Sequence, residues 1–371
     1  MNGLAEHVGR EISSITLVEP RTYFEAPNGV LGAIHHPDYR REFQVVAKNQ
    51  EWAWDRRVKH VASRVASVDP AARTIKLENG EDIAYDVLCI ATGTKSMPEG
   101  AAIWRPGTEI KTLEARLDEI ERYRADIAKS KTIMLIGGGV VGVELVSELA
   151  ERHPNVRIHF AVSDKELLIS FPSITRRVAR RHIERLRNVQ IHFGTGRLGP
   201  PDADGVYRIG SFEIRPDMVI KCFPSGLNTG FLPDAWLDER KQVKVDRFLQ
   251  VEGTSGVFAL GDVANISNDK SAKTAIDEAE VVRRNVLAVC RSRQSSVRFN
   301  GARTGFVLRL GPRESLMYYL PFIGLYGITL SGSYLAAVVR EILLARIIHQ
   351  CSTGGTSGSL KGPSGDLAMT T

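Results

Sequence analysis

The stretch IMLIGGGVVGVELVSEL sets an apolar strand, a glycine turn and an amphipathic helix in immediate succession, with Gly137, Gly139 and Gly142 spaced as G-x-G-x-x-G. No other feature restricts the fold of this chain as much. A glycine triplet alone is weak evidence, but a strand before it and a helix after it supply the context that a dinucleotide-binding turn needs. Gly137 permits the tight turn, Gly139 lets backbone amides approach a pyrophosphate, and Gly142 lets the helix pack close to the strand. The helix N-terminus then turns its unpaired amides and its positive dipole end toward the phosphate charge.

In such a unit an acidic residue holds the adenosine ribose at the end of the next strand, about 20 residues on. That strand is RIHFAVSDKE, where Val162 or Ser163 stands near the expected place and Asp164 one step later. Asp164 is a candidate ribose ligand and equally a plain loop or cap residue. The helix beyond it carries Arg176, Arg177, Arg180 and Arg181. These suit a 2′-phosphate, an anionic membrane surface, or only a solvated helix face. NADH and NADPH both stay open.

The same texture opens the chain. GLAEHV reads as a helix beginning at Gly3, and SITLVEP as a strand ending at Glu19. This is the second half of a βαβ nucleotide unit, whose first strand and first two glycines would come before it. An N-terminus that is truncated is therefore expected. Between the two units run short strands, with Asn79-Gly80 marking a hairpin between TIKLE and EDIAYD. A long charged helix spans roughly Leu113 to Lys129. Repeated βαβ texture with small antiparallel inserts predicts an α/β chain of two Rossmann-like domains, for which 371 residues is ample length.

Net charge of +6 fits an anionic ligand, a membrane surface or nucleic acid, and it fits an ordinary soluble surface as well. No interleaving of aromatic and basic residues marks nucleic-acid recognition. The cysteines, Cys89, Cys222, Cys290 and Cys351, lie far apart, with neither a CxxC pair nor zinc spacing, so no metal is expected. Cys89 in VLCIA and Cys222 in VIKCF read as small buried hydrophobes. A reducing compartment is the simplest reading.

Two further segments, YDVLCIATGT (residues 85–94) and GVFALGDVA (residues 256–264), are apolar strands that end in glycine-containing turns. In this order around a G-x-G-x-x-G unit they resemble the two-dinucleotide flavoprotein family. That family includes pyridine nucleotide-disulfide reductases, type II NADH dehydrogenases and relatives of apoptosis-inducing factor. The resemblance covers about residues 3–300 and implies FAD and NAD(P)H as cofactors. It implies a discontinuous FAD domain (1–113 and 228–300) and an inserted NAD(P)H domain (114–227). A C-terminal strand and helix segment (301–351) and a disordered Gly/Ser/Thr-rich tail (352–371) would follow.

Carried onto this sequence, the resemblance makes Gly3 the third glycine of an FAD motif and Glu19 the carboxylate of the FAD ribose. The strand at Arg64 and Val65 would meet adenine through its backbone. Thr92 and Gly93 would pass close to FAD, and Asp262 would bind the ribityl chain. The helix beginning near Lys273 and Thr274 would turn its N-terminal dipole to the flavin pyrimidine ring. Glu144 would lie near the nicotinamide, or else be an exposed helix residue.

Disulfide reductases need two thiols a few residues apart, which this chain does not have. The resemblance is therefore greatest to the apoptosis-inducing factor 2 (ferroptosis suppressor) and type II NADH dehydrogenase group, whose acceptors are quinones. A quinone acceptor, a homo-oligomer and a cytoplasmic, membrane-associated or mitochondrial setting follow as expectations. The run from Leu316 to Val339 is uncharged. The segment divides into a short strand or loop, YYLPFIGLYGIT, and an apolar helix, GSYLAAVVREILLARIIHQ, expected to meet a membrane surface, to pack in a core or dimer, or to span a bilayer. The competing readings are a ferredoxin- or monodehydroascorbate-reductase-like enzyme with another acceptor, and a redox-inactive relative that binds membranes or nucleic acid.

Overall fold

The computed structural model describes residues 2–36, 38, 47–49, 56–95, 102–268, 270–301 and 306–318. Its first helix, α1 (Asn2–Ala5), is followed by β1 (Ile15–Val18), β2 (Tyr23–Glu25), α2 (Pro27–His35) and β3 (Ala47–Asn49). Then come β4 (Val58–Val61), a meander of β5 (Val65–Asp69), β6 (Thr74–Leu77) and β7 (Asp82–Ala84), and β8 (Leu88–Ile90). The long helix α3 (Leu113–Lys129) has the predicted bounds, with the Thr112 side chain capping the amide of Ala115. The hairpin at Asn79-Gly80 is also present, with Gly80 at φ +90°.

The middle of the chain builds a four-stranded parallel sheet. Its strands are β9 (Thr132–Ile136), β10 (Arg157–Val162), β11 (Val189–Phe193) and, after a small hairpin of β12 (Tyr207–Ile209) and β13 (Phe212–Ile214), β14 (Met218–Lys221). The order is β11-β10-β9-β14. Helices α4 (Val140–Arg152) and α5 (Ser173–Glu184) make the crossovers. The central strands are buried, as parallel strands covered by helices must be; Ile133, Met134, Leu135, Ile158 and Phe160 are all fully inaccessible.

The flanking segments give smaller sheets. β1 pairs with β4 in parallel, and β8 pairs in parallel with β15 (Val257–Ala259). β2 and β3 are antiparallel. The last long helix is α6 (Ala272–Cys290), and a final antiparallel hairpin joins β16 (Phe306–Leu310) to β17 (Glu314–Tyr318).

Two main apolar cores result. One gathers Leu31 and Ile34 of α2, Ile120 and Ile127 of α3, the four-stranded sheet with α4 and α5, and Leu308, Leu310 and Leu316 of the last hairpin. The other joins the meander, β8, β15 and α6 through Leu77, Ile90, Trp236, Phe258 and Val286. Cys222 is buried as expected, whereas Cys89 is exposed, because the described residues leave uncovered the face of β8 to which it points. No helix of the described residues is long and apolar enough to cross a membrane. The predicted C-terminal helix and tail lie outside the described residues.

Candidate cofactor sites

The chain leaves β9 toward β10 and β11, then returns on the other side of β9 as β14. Ligands of parallel α/β sheets bind where the strand order reverses, at the carboxyl ends of the strands. The glycine turn lies at that crevice. Ile136 is in register with Lys221, and the Cys222 amide donates to the Ile136 carbonyl at 2.8 Å. Gly137 has φ +122°, which an L side chain rarely adopts.

The inner side of the turn is closed. A Cβ on Gly142 would sit 1.9 Å from the Gly137 carbonyl oxygen, and one on Gly138 would sit 2.5 Å from Val162. The outer side is open, since a Cβ on Gly139 would meet nothing within 4 Å. Gly139 caps α4 without a side chain, which leaves the helix N-terminus free for an anion. Exposed Val140 and Phe223 offer apolar surface beside the turn. The residues fit a dinucleotide pyrophosphate.

Asp164 is exposed just beyond β10, where its carboxylate accepts from the Ser163 hydroxyl at 2.9 Å. Of the arginines on α5, Arg176 engages Glu166 and Arg180 engages Glu184 at 2.7 Å. The second is an exposed i,i+4 pair on the helix face, of the kind that contributes little to stability, and the first ties the helix to the loop before it.

Glu144 lies one turn into α4 and is half-buried. Its Oε1 accepts from the Arg309 backbone amide of β16 at 2.9 Å. Glu148, one turn further on, receives Arg309 Nη1 at 3.2 Å and Arg152 Nε at 2.9 Å. Burial and the neighbouring Glu314 and Glu148 hold the Glu151 carboxyl above its usual range. The acidic stripe of α4 therefore docks the last hairpin, and at least one oxygen of Glu144 is spent on that contact.

The second group of predicted residues comes together at the ends of β8 and β15. Ile90 is in register with Ala259, so the Thr92–Thr94 turn and the Gly261–Asp262 turn lie side by side. Gly93 and Gly261 take positive φ, +62° and +75°. The Gly261 amide is held by Glu278 of α6 at 2.6 Å, a carboxylate that is almost fully buried. Arg105 pairs with Asp262 at 3.5 Å.

Asn228 fastens the Thr92–Thr94 turn to the returning chain. Its side-chain amide donates to the carbonyls of Thr92 and Thr94 at 2.9 and 3.0 Å. The Thr92 hydroxyl donates back to the Asn228 carbonyl at 2.7 Å. The sequence reading missed Asn228, Glu278 and Arg105. Asn228 had a signal, the glycine-flanked run GLNTG at the predicted domain boundary; nothing in the sequence distinguishes the other two from surface residues.

The remaining candidates are dispersed around this point. α6 starts at Ala272, capped by Ser271, whose hydroxyl accepts from the Thr274 amide at 3.2 Å. Thr274 is buried, and the Lys273 ammonium engages Asp277 along the helix. Glu19 follows β1, and its carboxylate accepts from the Arg21 amide at 3.1 Å. Val65 opens the meander opposite Leu77, and Gly3 is buried in α1, which packs against α6.

The family model for pyridine nucleotide-disulphide oxidoreductase matches residues 5–279. Ferroptosis suppressor protein 1 of Taeniopygia guttata is 27% identical over 264 residues, which cover 68% of this chain and 69% of that protein. The FAD-dependent oxidoreductase FVFD30 of Flammulina velutipes is 26% identical over 294 residues, or 76% of this chain and 86% of that one. Among solved structures, the sulfide:quinone oxidoreductase of Aquifex aeolicus superposes with a TM-score of 0.69 at 18% identity, covering 93% of this chain and 87% of that one. A water-forming NADH oxidase from Lactobacillus brevis, solved with NADH, superposes with a TM-score of 0.64 at 16% identity, covering 85% and 71%. At these identities the structural likeness shows a shared two-dinucleotide fold.

Proposed function

The chain belongs to the pyridine nucleotide-disulphide oxidoreductase family, with FAD and NAD(P)H as cofactors, and from that premise we propose that it passes electrons from NAD(P)H through FAD to a quinone. The observation that carries this reading is the pattern of its cysteines. None of the four has a partner thiol within a few residues, which favours transfer from the flavin to an external acceptor over transfer to a redox disulfide. The resemblance to the ferroptosis suppressor group, whose acceptors are quinones, favours a quinone as that acceptor.

FAD, when bound, supplies the hydride-accepting and electron-donating chemistry. The protein contributes placement and charge. The Gly137–Gly142 turn and the N-terminus of α4 hold the pyrophosphate of NAD(P)H. The Thr92–Thr94 and Asp262 turns hold FAD. Burial of Glu278 against the Gly261 amide keeps the Asp262 turn from shifting when the ligand enters.

Anaerobic titration of the FAD-loaded protein with NADH and with NADPH tests the reading. Bleaching of the flavin bands, followed by their recovery on adding a soluble short-chain quinone, is the expected outcome. Bleaching with recovery only on ferredoxin or monodehydroascorbate would replace the quinone. Absence of bleaching would remove the enzymatic reading altogether.

A further inference from the structure

Residues 102–107 form an irregular segment that is nevertheless inside the molecule. Ala102, Ile103, Trp104, Pro106 and Gly107 are all buried. Connecting segments normally run over the surface, because their backbone polar groups need partners. Here two of the partners come from a buried ionic triad. Arg116 of α3, fully inaccessible, donates to the Ile103 carbonyl at 3.2 Å and pairs with Glu25 at 3.0 Å and Glu119 at 2.6 Å. Glu119 accepts from the Gly107 amide at 3.0 Å. The loop is thus clamped at both ends.

Its two central side chains reach in different directions. The Trp104 indole N–H donates to the Lys221 carbonyl at 2.9 Å. Lys221 ends β14, in register with the residue that precedes Gly137, at the edge of the nucleotide crevice. Arg105 stacks on the Trp104 ring at 4.8 Å, donates to the Thr94 carbonyl at 3.2 Å and pairs with Asp262. One dipeptide therefore touches the border of both cofactor turns.

The flavin end of this contact is unfinished. Arg105 Nε and Thr94 Oγ1 are buried and have no hydrogen-bond partner among the described residues. Burial also lowers the Arg105 pKa, against the pull of Asp262. The unused Arg105 N–H and the Thr94 hydroxyl, each without a partner among the described residues, are both donors that an acceptor oxygen of a ligand would satisfy.

We propose that Trp104 and Arg105 form a strut between the two cofactor sites. In it Arg105 gives a hydrogen bond to an oxygen of FAD and positions Asp262, while Trp104 fixes the β14 edge of the NAD(P)H crevice. This rests on the FAD and NAD(P)H reading given above, and it assigns roles to two residues that the motifs do not contain.

The test is FAD binding to deflavinated protein, read by quenching of flavin fluorescence, in wild type, Arg105→Met, Arg105→Lys and Trp104→Phe. Wild type that binds no FAD removes the parent reading and with it the strut. If wild type binds, Arg105→Met should weaken FAD by about 10- to 100-fold, the range of a charge-assisted hydrogen bond, and should lower the melting temperature of the FAD-loaded protein by more than that of the FAD-free protein. Arg105→Lys, which keeps the charge and loses the Nε donor, should recover part of that loss and settles the matter if the Met variant does not fold. Equal FAD affinity in wild type and Arg105→Lys overturns the role of Arg105. Trp104→Phe should raise the KM for NADH about 3- to 10-fold with kcat and FAD affinity little changed. An unaltered KM in that variant overturns the strut.

Discussion

The two regions proposed to hold the cofactors are built in opposite ways. The nucleotide region rests on a continuous four-stranded parallel sheet, and its binding turn is made of backbone from residues 137–142. The flavin region rests on two separate parallel pairs and a meander, and its turns are joined by side chains from distant segments. Asn228 meets Thr92 across 136 residues of sequence, and Arg105 meets Asp262 across 157. A site made of local backbone is intolerant of added atoms. One made of distant side chains is intolerant of lost ones. That contrast can be broken experimentally.

Gly142→Ala should give the largest effect. Its Cβ would lie 1.9 Å from a backbone oxygen that cannot swing aside, so α4 must lift from β9. A cost of about 3 kcal/mol is expected, read as a drop in melting temperature, with NADH binding lost and flavin retained. Loss of flavin at equal severity would mean that the two regions are not independent.

Acid should also separate the halves. His35, on α2, is pushed down to about 3, chiefly by burial and then by His153 and Arg152. Burial likewise lowers His153, His159, His182 and His192, all in the nucleotide region. His35 is thus neutral in the folded protein at neutral pH, and its contribution is intact above pH ~6.5 and is lost as the pH falls toward 3; the other four act in the same direction. For His35 alone the loss between pH 6.5 and 5 is about 2 kcal/mol. Hydrogen exchange at pH 5 should show β9, β10 and α2 opening before β15 and α6, and His35→Leu should flatten the acid limb.

Asn228→Ala removes two donors from the Thr92–Thr94 turn and should cost about 1–2 kcal/mol of FAD binding, roughly a tenfold change in affinity. NADH binding, measured separately, should not move. The smallest effect belongs to Glu144→Gln. The amide oxygen can still accept from Arg309, so stability should change by less than about 0.5 kcal/mol. A fall in kcat with unchanged stability would show that the charge of Glu144 serves the nicotinamide as well as the hairpin.

The same contrast explains what the sequence disclosed. The nucleotide turn was legible because strand, glycines and helix lie together, and each glycine answers a local steric demand. The flavin turns were legible only as a set of family motifs, since a strand ending in Thr-Gly or Gly-Asp has many uses. Their fastenings were not legible, because pairings such as Asn228–Thr92 and Arg105–Asp262 exist only once the chain has crossed between domains. Lys273 illustrates the limit. Its helix begins close to where the sequence put it, yet the ammonium is engaged by Asp277 of its own helix. Glu144 likewise reads as a nicotinamide residue from its motif, while the structure gives part of its carboxylate to a strand 165 residues away.

The Glu25–Arg116–Glu119 triad bears on how such a chain changes over generations. Removing one member of a buried ion pair strands a charge and costs about 3–5 kcal/mol, whereas exchanging all members for well-packed apolar residues is often neutral. The triad therefore has no easy single-step exit. Lineages that descend from this protein should keep all three residues or replace all three, so positions 25, 116 and 119 should vary together and seldom alone. Because the loop at 102–107 hangs from the same arginine, lineages that abandon the triad should also have rebuilt that loop.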